Sequence, residues 1–298
     1  MKSLMMSTES QRPAALEALS PWREAWRVFC SNQAAILGLG LLAAIMLVML
    51  FGPTLYGVPP FDIVAAPFTE PFTMPSVWLG TDYLGRDVLA GILIGGRVTL
   101  LVGLAAATVA VSIGVTVGAL AGYFGGAVDT ALSRLIELFQ VLPALLFAMV
   151  LVTLFTPSLM VVVFAIGVVA WTGTARLARA EFMRLRHLEY ANAARAMGAG
   201  HLRLMLREIL PNALPPLIVS ASLIVGSAIL FEAGLSFLGL SDANVMSWGM
   251  MIGGNRRNVL ECWWAVTFPG AAIFLTVLSV SLIGDGLNDA FNPKLRLR

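Results

Sequence analysis

Uncharged runs divide this chain at 28–61, 98–128, 138–175, 209–231 and 262–284. None alternates with a period of two, so none reads as barrel strands. In lipid every backbone polar group must be satisfied internally, which leaves helices. A spanning helix needs about 20 apolar residues. The densest part of the first run, 33–51, supplies one crossing. The 138–175 run is too long for one helix, and "FTPS" at 155–158 breaks it because proline removes a backbone donor. It therefore predicts two helices, 132–155 and 159–174. With 98–128, 209–231 and 262–284, the pattern predicts an all-α polytopic membrane protein with six transmembrane helices. The residues before the first run are long and mixed in charge, with no small-residue cleavage site after it, and do not read as a cleavable leader.

Composition agrees with this picture. Of 298 residues, 58% are hydrophobic and 12% charged, against about a quarter charged in an average soluble domain. Cys30 and Cys262 stand far apart with no Cys or His partner in sequence, so neither a disulfide framework nor a zinc site is expected. With the N-terminus inside, every lysine and arginine except Arg86, Arg97, Arg256 and Arg257 falls on inner segments. The positive-inside rule thus places both termini in the cytoplasm. The expected organisation is a cytoplasmic segment 1–32, a first helix 33–51, an extracytoplasmic loop 52–97, a five-helix core 98–286 with an inner loop 175–211, and a cytoplasmic tail 287–298.

Several local features carry specific expectations. Ala106, Ala110, Gly114, Gly118 and Gly122 recur every fourth residue, a ridge of small side chains suited to close helix contact inside the bundle or with a second subunit. Pro143 and Pro215-Pro216 predict kinks. Arg134 and Glu137 can pair on one helix face. Asp82 and Arg86 have the spacing of a helical pair, in what reads as an interfacial helix leading to the second crossing. Glu232 is expected at the outer interface, paired or hydrated, with a functional intramembrane acid as the other reading.

The inner loop contains "EYANAARAMGAGHLRLMLREILPN" at 189–212. Ala191, Ala194 and Gly198 share one face at helical spacing, which would leave that face nearly free of side chains and suited to a groove on a partner. Gly198 and Gly200 supply a helix stop, and 201–209 predicts a second short helix ended at Pro211. Anionic lipid is another partner for a loop this basic. Nucleic acid is not, since no aromatic platform is interleaved.

This stretch resembles the EAA motif of ABC importer membrane subunits, with Ala193, Ala194, Gly198, Leu210 and Pro211 matching and Asn192 standing at the motif glutamate. "LGTDYLGRDVLAGILIGGRVTL" at 79–100, "LSFLGL" at 235–240, "SWGMMI" at 247–252 and "FPGAAIFLTVLSVSLIGDGLNDAFNP" at 268–293 extend the likeness to the C-type permeases of the dipeptide, oligopeptide and nickel family. The resemblance implies a type I ABC importer permease fold in a bacterial inner membrane. It implies a homologous second permease, two cytoplasmic ABC ATPase subunits and an extracytoplasmic substrate-binding protein as partners. It makes Glu189, Ala191, Ala193, Ala194, Gly198, Leu210 and Pro211 the ATPase-coupling residues. Peptide is the expected substrate, with nickel, a metallophore or glutathione as alternatives; an intramembrane enzyme or a channel is the reading from another class. No catalytic residue, metal or cofactor is expected. The lysines are Lys2 and Lys294, and neither closes a glycine-rich phosphate loop, so ATP must be used by the partner subunits.

Overall fold

The computed structural model describes residues 21–291, so the outermost parts of both terminal segments, with Lys2, Lys294, Arg296 and Arg298, lie outside the described residues. The described chain is built from helices α1 (Pro21–Ser31), α2 (Gln33–Tyr56), α3 (Val88–Phe124), α4 (Gly126–Val141), α5 (Ala144–Leu154), α6 (Leu159–Leu185), α7 (Glu189–Ala196), α8 (His201–Arg203), α9 (Leu210–Phe237), α10 (Trp248–Asn255) and α11 (Trp264–Phe291). Five helical stretches are long and apolar enough to cross a membrane, and α4 with α5 makes a sixth if the bent pair is one span.

The small-residue ridge of α3 packs against α6 within the same chain. A side-chain carbon on Gly114, Gly118 or Gly122 would stand 2.7, 2.3 or 2.4 Å from the nearest backbone oxygen, those of Trp171, Ala175 and Arg179. Small side chains are required here because lipid supplies no hydrophobic drive between helices, and close backbone packing replaces it.

The expected third helix is two helices. α4 and α5 meet at 89°. Leu142, in extended conformation, closes α4, and Pro143 N-caps α5. Proline disfavours the helical region for the residue before it, so the break is set locally. The angle is set by packing, because Ala148 and Val152 of α5 bury against Val162 and Ile166 of α6.

The first crossing runs five residues past its expected end, through Pro53. Pro53 cannot donate to Met49 O. Arg97 of α3 donates instead, Nε to Met49 O at 2.6 Å and Nη2 to Leu50 O. An arginine at a lipid-facing position must find acceptors, and the proline-freed carbonyl is one. Arg97→Leu is expected to destabilise the protein by about 2 kcal/mol, since hydrogen bonds from charged groups are worth about 1.5–3 kcal/mol. That corresponds to a fall of roughly 4–8 °C in Tm for a chain of this size, read by detergent thermal unfolding, with Arg97→Lys intermediate.

The segment before α3 is not an interfacial helix. Residues 57–87 form an irregular cap, and α3 starts at Val88, ten residues earlier than expected. Asp82 and Arg86 do not pair through their side chains. Asp82 Oδ1 accepts from the backbone N–H groups of Leu84 and Arg86 at 2.8 and 2.9 Å, while the Arg86 guanidinium lies over the Phe61 ring. Asp87 N-caps α3 through Leu89 N and Ala90 N, and its other oxygen accepts from Tyr56 Oη. Gly80 and Gly85 take the left-handed φ values of +77° and +81°, where side chains would also meet Thr69 O and Ala65 O. Trp264 Nε1 donates to Thr81 O and fixes the cap to α11.

Glu232 is buried in the packed helices instead of lying at an exposed interface, and it forms no ion pair among the described residues. It is 2% exposed, and its Oε1 accepts from Ser236 Oγ at 2.7 Å. The residue sits where α9 meets α10, whose Gly249 and Gly253 approach the α9 backbone too closely for side chains.

Candidate functional site

The basic loop between α6 and α9 folds as an elbow on the ends of the long helices. α7 ends at Ala196 because Gly198 takes φ +85°. Gly198 N donates to Arg195 O and Ala199 N to Ala194 O, the paired closure of a Schellman motif. Gly198 has no heavy atom of the chain within 4 Å of where a side-chain carbon would sit. Glycine is needed there for the turn, and close backbone approach, the other expectation for it, is absent from the described chain. Glu189 opens α7 and is exposed, an acid placed favourably at the positive end of the helix dipole.

The second helix does not end at Pro211. α8 runs through a π turn, Leu204–Ile209, directly into α9. Pro211 sits in the first turn of α9, where its missing donor matters least. Leu210 N bonds back to Met205 O across the wide turn, and Asn212 Nδ2 takes Glu208 O at 2.7 Å. The wide turn and the Asn212 amide thus give Met205 O and Glu208 O donors on either side of the proline. The elbow is therefore continuous with a membrane-crossing helix, which transmits displacement better than a separate hairpin.

The small face of α7 points inward. Ala191 is 0% and Ala194 8% exposed, and Ala194 belongs to a cluster with Tyr123, Phe182, Leu204 and Ile209. The expectation that Ala191, Ala194 and Gly198 present one flat face to a partner is thus corrected: the alanines are small because α7 lies closely on its own chain. The outward face carries Asn192, Ala193, Ala196 and Met197, all exposed, Met197 at 82%. Pro211 is exposed and Leu210 half-buried at the edge of the same cluster.

Polar contacts lock the elbow to the helices. Tyr123 Oη, near the end of α3, lies 2.8 Å from His201 Nδ1, and Arg186 Nη1 donates to Tyr123 O at 2.8 Å. Arg179 binds Asp129 of α4 through both carboxylate oxygens. Arg184 pairs with Glu181 at 2.7 Å, and Arg134 with Glu137 at 2.8 Å as expected. Burial, the largest influence, holds the Tyr190 phenol above its ordinary range, so it stays neutral under the elbow. Most of the loop's arginines thus bind this chain. Arg203 and Arg207 are exposed. Sequence reasoning missed the Tyr123–His201 and Arg179–Asp129 contacts, whose partners lie 78 and 50 residues apart and leave no local signal.

Residues 114–297 match the family described as binding-protein-dependent transport system inner membrane component. Residues 20–72 match the N-terminal transmembrane domain of oligopeptide transport permease C. Among similar curated proteins, the oligopeptide transport system permease protein OppC of Escherichia coli K12 is 40% identical over 94% of each chain. The dipeptide transport system permease protein DppC of the same organism is 39% identical over 97% of this chain and 98% of its own. The DppC of Alkalihalophilus pseudofirmus is 38% identical over 94% and 92%. Among solved structures, a chain of the MetNI methionine ABC transporter in an inward-facing form aligns with a TM-score of 0.50 at 17% identity, over 66% of this chain and 96% of its own. That likeness concerns the fold.

Proposed function

Because the chain belongs to the family of binding-protein-dependent transport system inner membrane components, we propose that it is a permease subunit of an ATP-driven importer of dipeptides or oligopeptides, coupled to a separate ATPase through residues 189–211. The observation that carries the coupling role is the α7 elbow: its inner face is buried on α3, α6 and the π turn, and its outer face is exposed. A push on Ala193, Ala196 or Met197 reaches α9 through the π turn on which α7 packs, and α3 through the Tyr123–His201 contact of α8. Ala191, Ala194, Gly198 and Leu210 then hold the elbow in shape, and the exposed residues, Glu189, Ala193 and Pro211 among them, make the contact. The peptide assignment rests on the relatives named above. The partners are a second, homologous permease, two ATPase subunits on the inner side and an extracytoplasmic binding protein, with membrane lipid around the exposed apolar helix faces.

The test is reconstitution. Alone in lipid the chain is expected to hydrolyse no ATP above background, with peptide-stimulated turnover and uptake appearing once the ATPase, the second permease and the binding protein are added. Robust turnover by the isolated chain would overturn the assignment.

The charge bias places both termini and the elbow on the inner side. Single cysteines at the exposed positions Asn244 and Arg203 check it. An impermeant maleimide added to intact cells is expected to label the first and miss the second; the reverse pattern inverts the topology.

A further inference from the structure

Between the cap and the outer ends of α9 and α10 lies a cavity of about 250 Å³. Its charged lining has an unequal balance of used and unused groups. Both carboxylates serve the backbone: Asp82 Oδ1 binds two amides of its own turn, and Asp87 caps α3 and holds Tyr56. Both guanidiniums lie instead on aromatic faces. Arg86 stands 5.1 Å from the Phe61 ring centre, and Arg256 5.2 Å from that of Phe237. Arg256 Nη1 donates to Phe237 O. Arg86 Nε is buried with no protein acceptor among the described residues. Stacking leaves the Arg86 Nη groups without a hydrogen-bond acceptor among the described residues, and these donors fit a carboxylate, with the remaining Nη2 of Arg256 beside them.

The opposite wall is apolar and adaptable, made by Met246, Met250 and Met251. Methionine is unbranched and polarisable, and surfaces rich in it accept varied side chains. The cavity is smaller than the pockets of about 300–1,000 Å³ that enclose a drug-sized ligand, which suits one end of a short chain. A fixed carboxylate facing two arginines, beside a variable side chain facing methionines, is the chemistry of a peptide C-terminus.

We propose that this cavity is a subsite for the terminal carboxylate of the transported peptide, with Arg86 and Arg256 as its donors and the methionine wall taking the last side chain. The assignment rests on the peptide reading above. Among the described residues the Arg86 guanidinium makes no hydrogen bond to the cap: its backbone N–H binds Asp82, and its side chain covers Phe61 and attracts the Asp82 carboxylate through space. Replacing that side chain therefore leaves the turn's hydrogen bonds in place.

The experiment uses the complete importer in lipid nanodiscs without its binding protein. Phenylglyoxal modification of individual arginines is followed by mass spectrometry. With dialanine at about ten times its Kd, labelling of Arg86 and Arg256 is expected to slow by roughly tenfold, as mass action at one site requires. Alanyl-alaninamide, which lacks the carboxylate, is expected to leave both rates unchanged, and Arg207 at the opposite end serves as the insensitive control. In Arg86→Gln, dialanine no longer protects Arg256, while the melting temperature of the complex stays as in the parent. Equal protection by peptide and amide overturns the carboxylate role. Protection by the binding protein without peptide, and none by dialanine, assigns the cavity to an acidic side chain of that protein and overturns the proposal. Uptake of dialanine by the same complex, with binding protein added and no protection at Arg86, sinks the subsite alone. No uptake of any di- or tripeptide sinks the peptide reading beneath it.

Discussion

Gly118→Leu is expected to leave almost no folded permease in the membrane. A first side-chain carbon at this position would lie 2.3 Å from Ala175 O, 2.7 Å from Ala178 Cβ and 2.9 Å from Arg179 N. Two of these are backbone atoms of a helix and cannot swing away as a flexible side-chain end can. Overpacking a core commonly costs about 1–3 kcal/mol where side chains can yield; here α3 and α6 must separate along their length. Gly118→Ala is expected to show a lesser form of the same loss. Gly40→Ala is the control, because nothing lies within 4 Å of its added carbon. Fluorescence-detected size-exclusion chromatography measures the folded fraction. A monodisperse Gly118→Leu peak of parental height would show that the ridge does not hold the two helices together.

Ala193→Trp is expected to lower peptide-stimulated ATPase activity and uptake by at least about tenfold, a loss of roughly 1.4 kcal/mol, with membrane abundance unchanged. Ala193 is exposed on the outward face of α7, so the indole disturbs nothing within this chain and obstructs only what docks there. Ala191→Leu should behave oppositely. It adds bulk at a position with 0% exposure, so abundance falls and the activity of each surviving molecule is preserved better. Gly198 gives a third pattern. Valine at φ +85° is strained by about 1–3 kcal/mol, whereas asparagine tolerates the left-handed region and should retain more coupling. Rates are normalised to permease content by immunoblot. Full coupling in Ala193→Trp would remove α7 from the ATPase interface and leave the lipid contact of a basic loop as its role.

Much of this was legible along the chain, and the reason is the same in each case. Lipid forbids unsatisfied backbone, so long apolar runs had to be helices. The "FTPS" break between helices was legible, and Pro143 was legible as a kink in one helix. Gly198 could be read as a helix stop because glycine alone enters the left-handed region without strain. Asp87, by contrast, was legible in principle as the helix cap ahead of Val88, but the apolar pattern alone put the start of α3 ten residues late.

Direction and angle were not legible. An alanine face on α7 fits a partner's groove and the chain's own core equally well. Only the position of Phe182, Leu204 and Ile209 beneath it decides that Ala191 and Ala194 face inward. Proline at 143 predicts a kink, while the split into two helices at 89° follows from where α5 finds Val162 and Ile166. Pro211 predicts an end, and the π turn with the Asn212 amide turns it into a continuation. The bonding of Asp82 to backbone amides, and not to the Arg86 guanidinium, depended on a turn held by Gly85 and by a tryptophan far along the chain. Local sequence determined which backbone conformations were permitted. The tertiary structure decided which neighbour satisfied each exposed group, because that choice depends on residues distant in sequence that meet only when the helices pack.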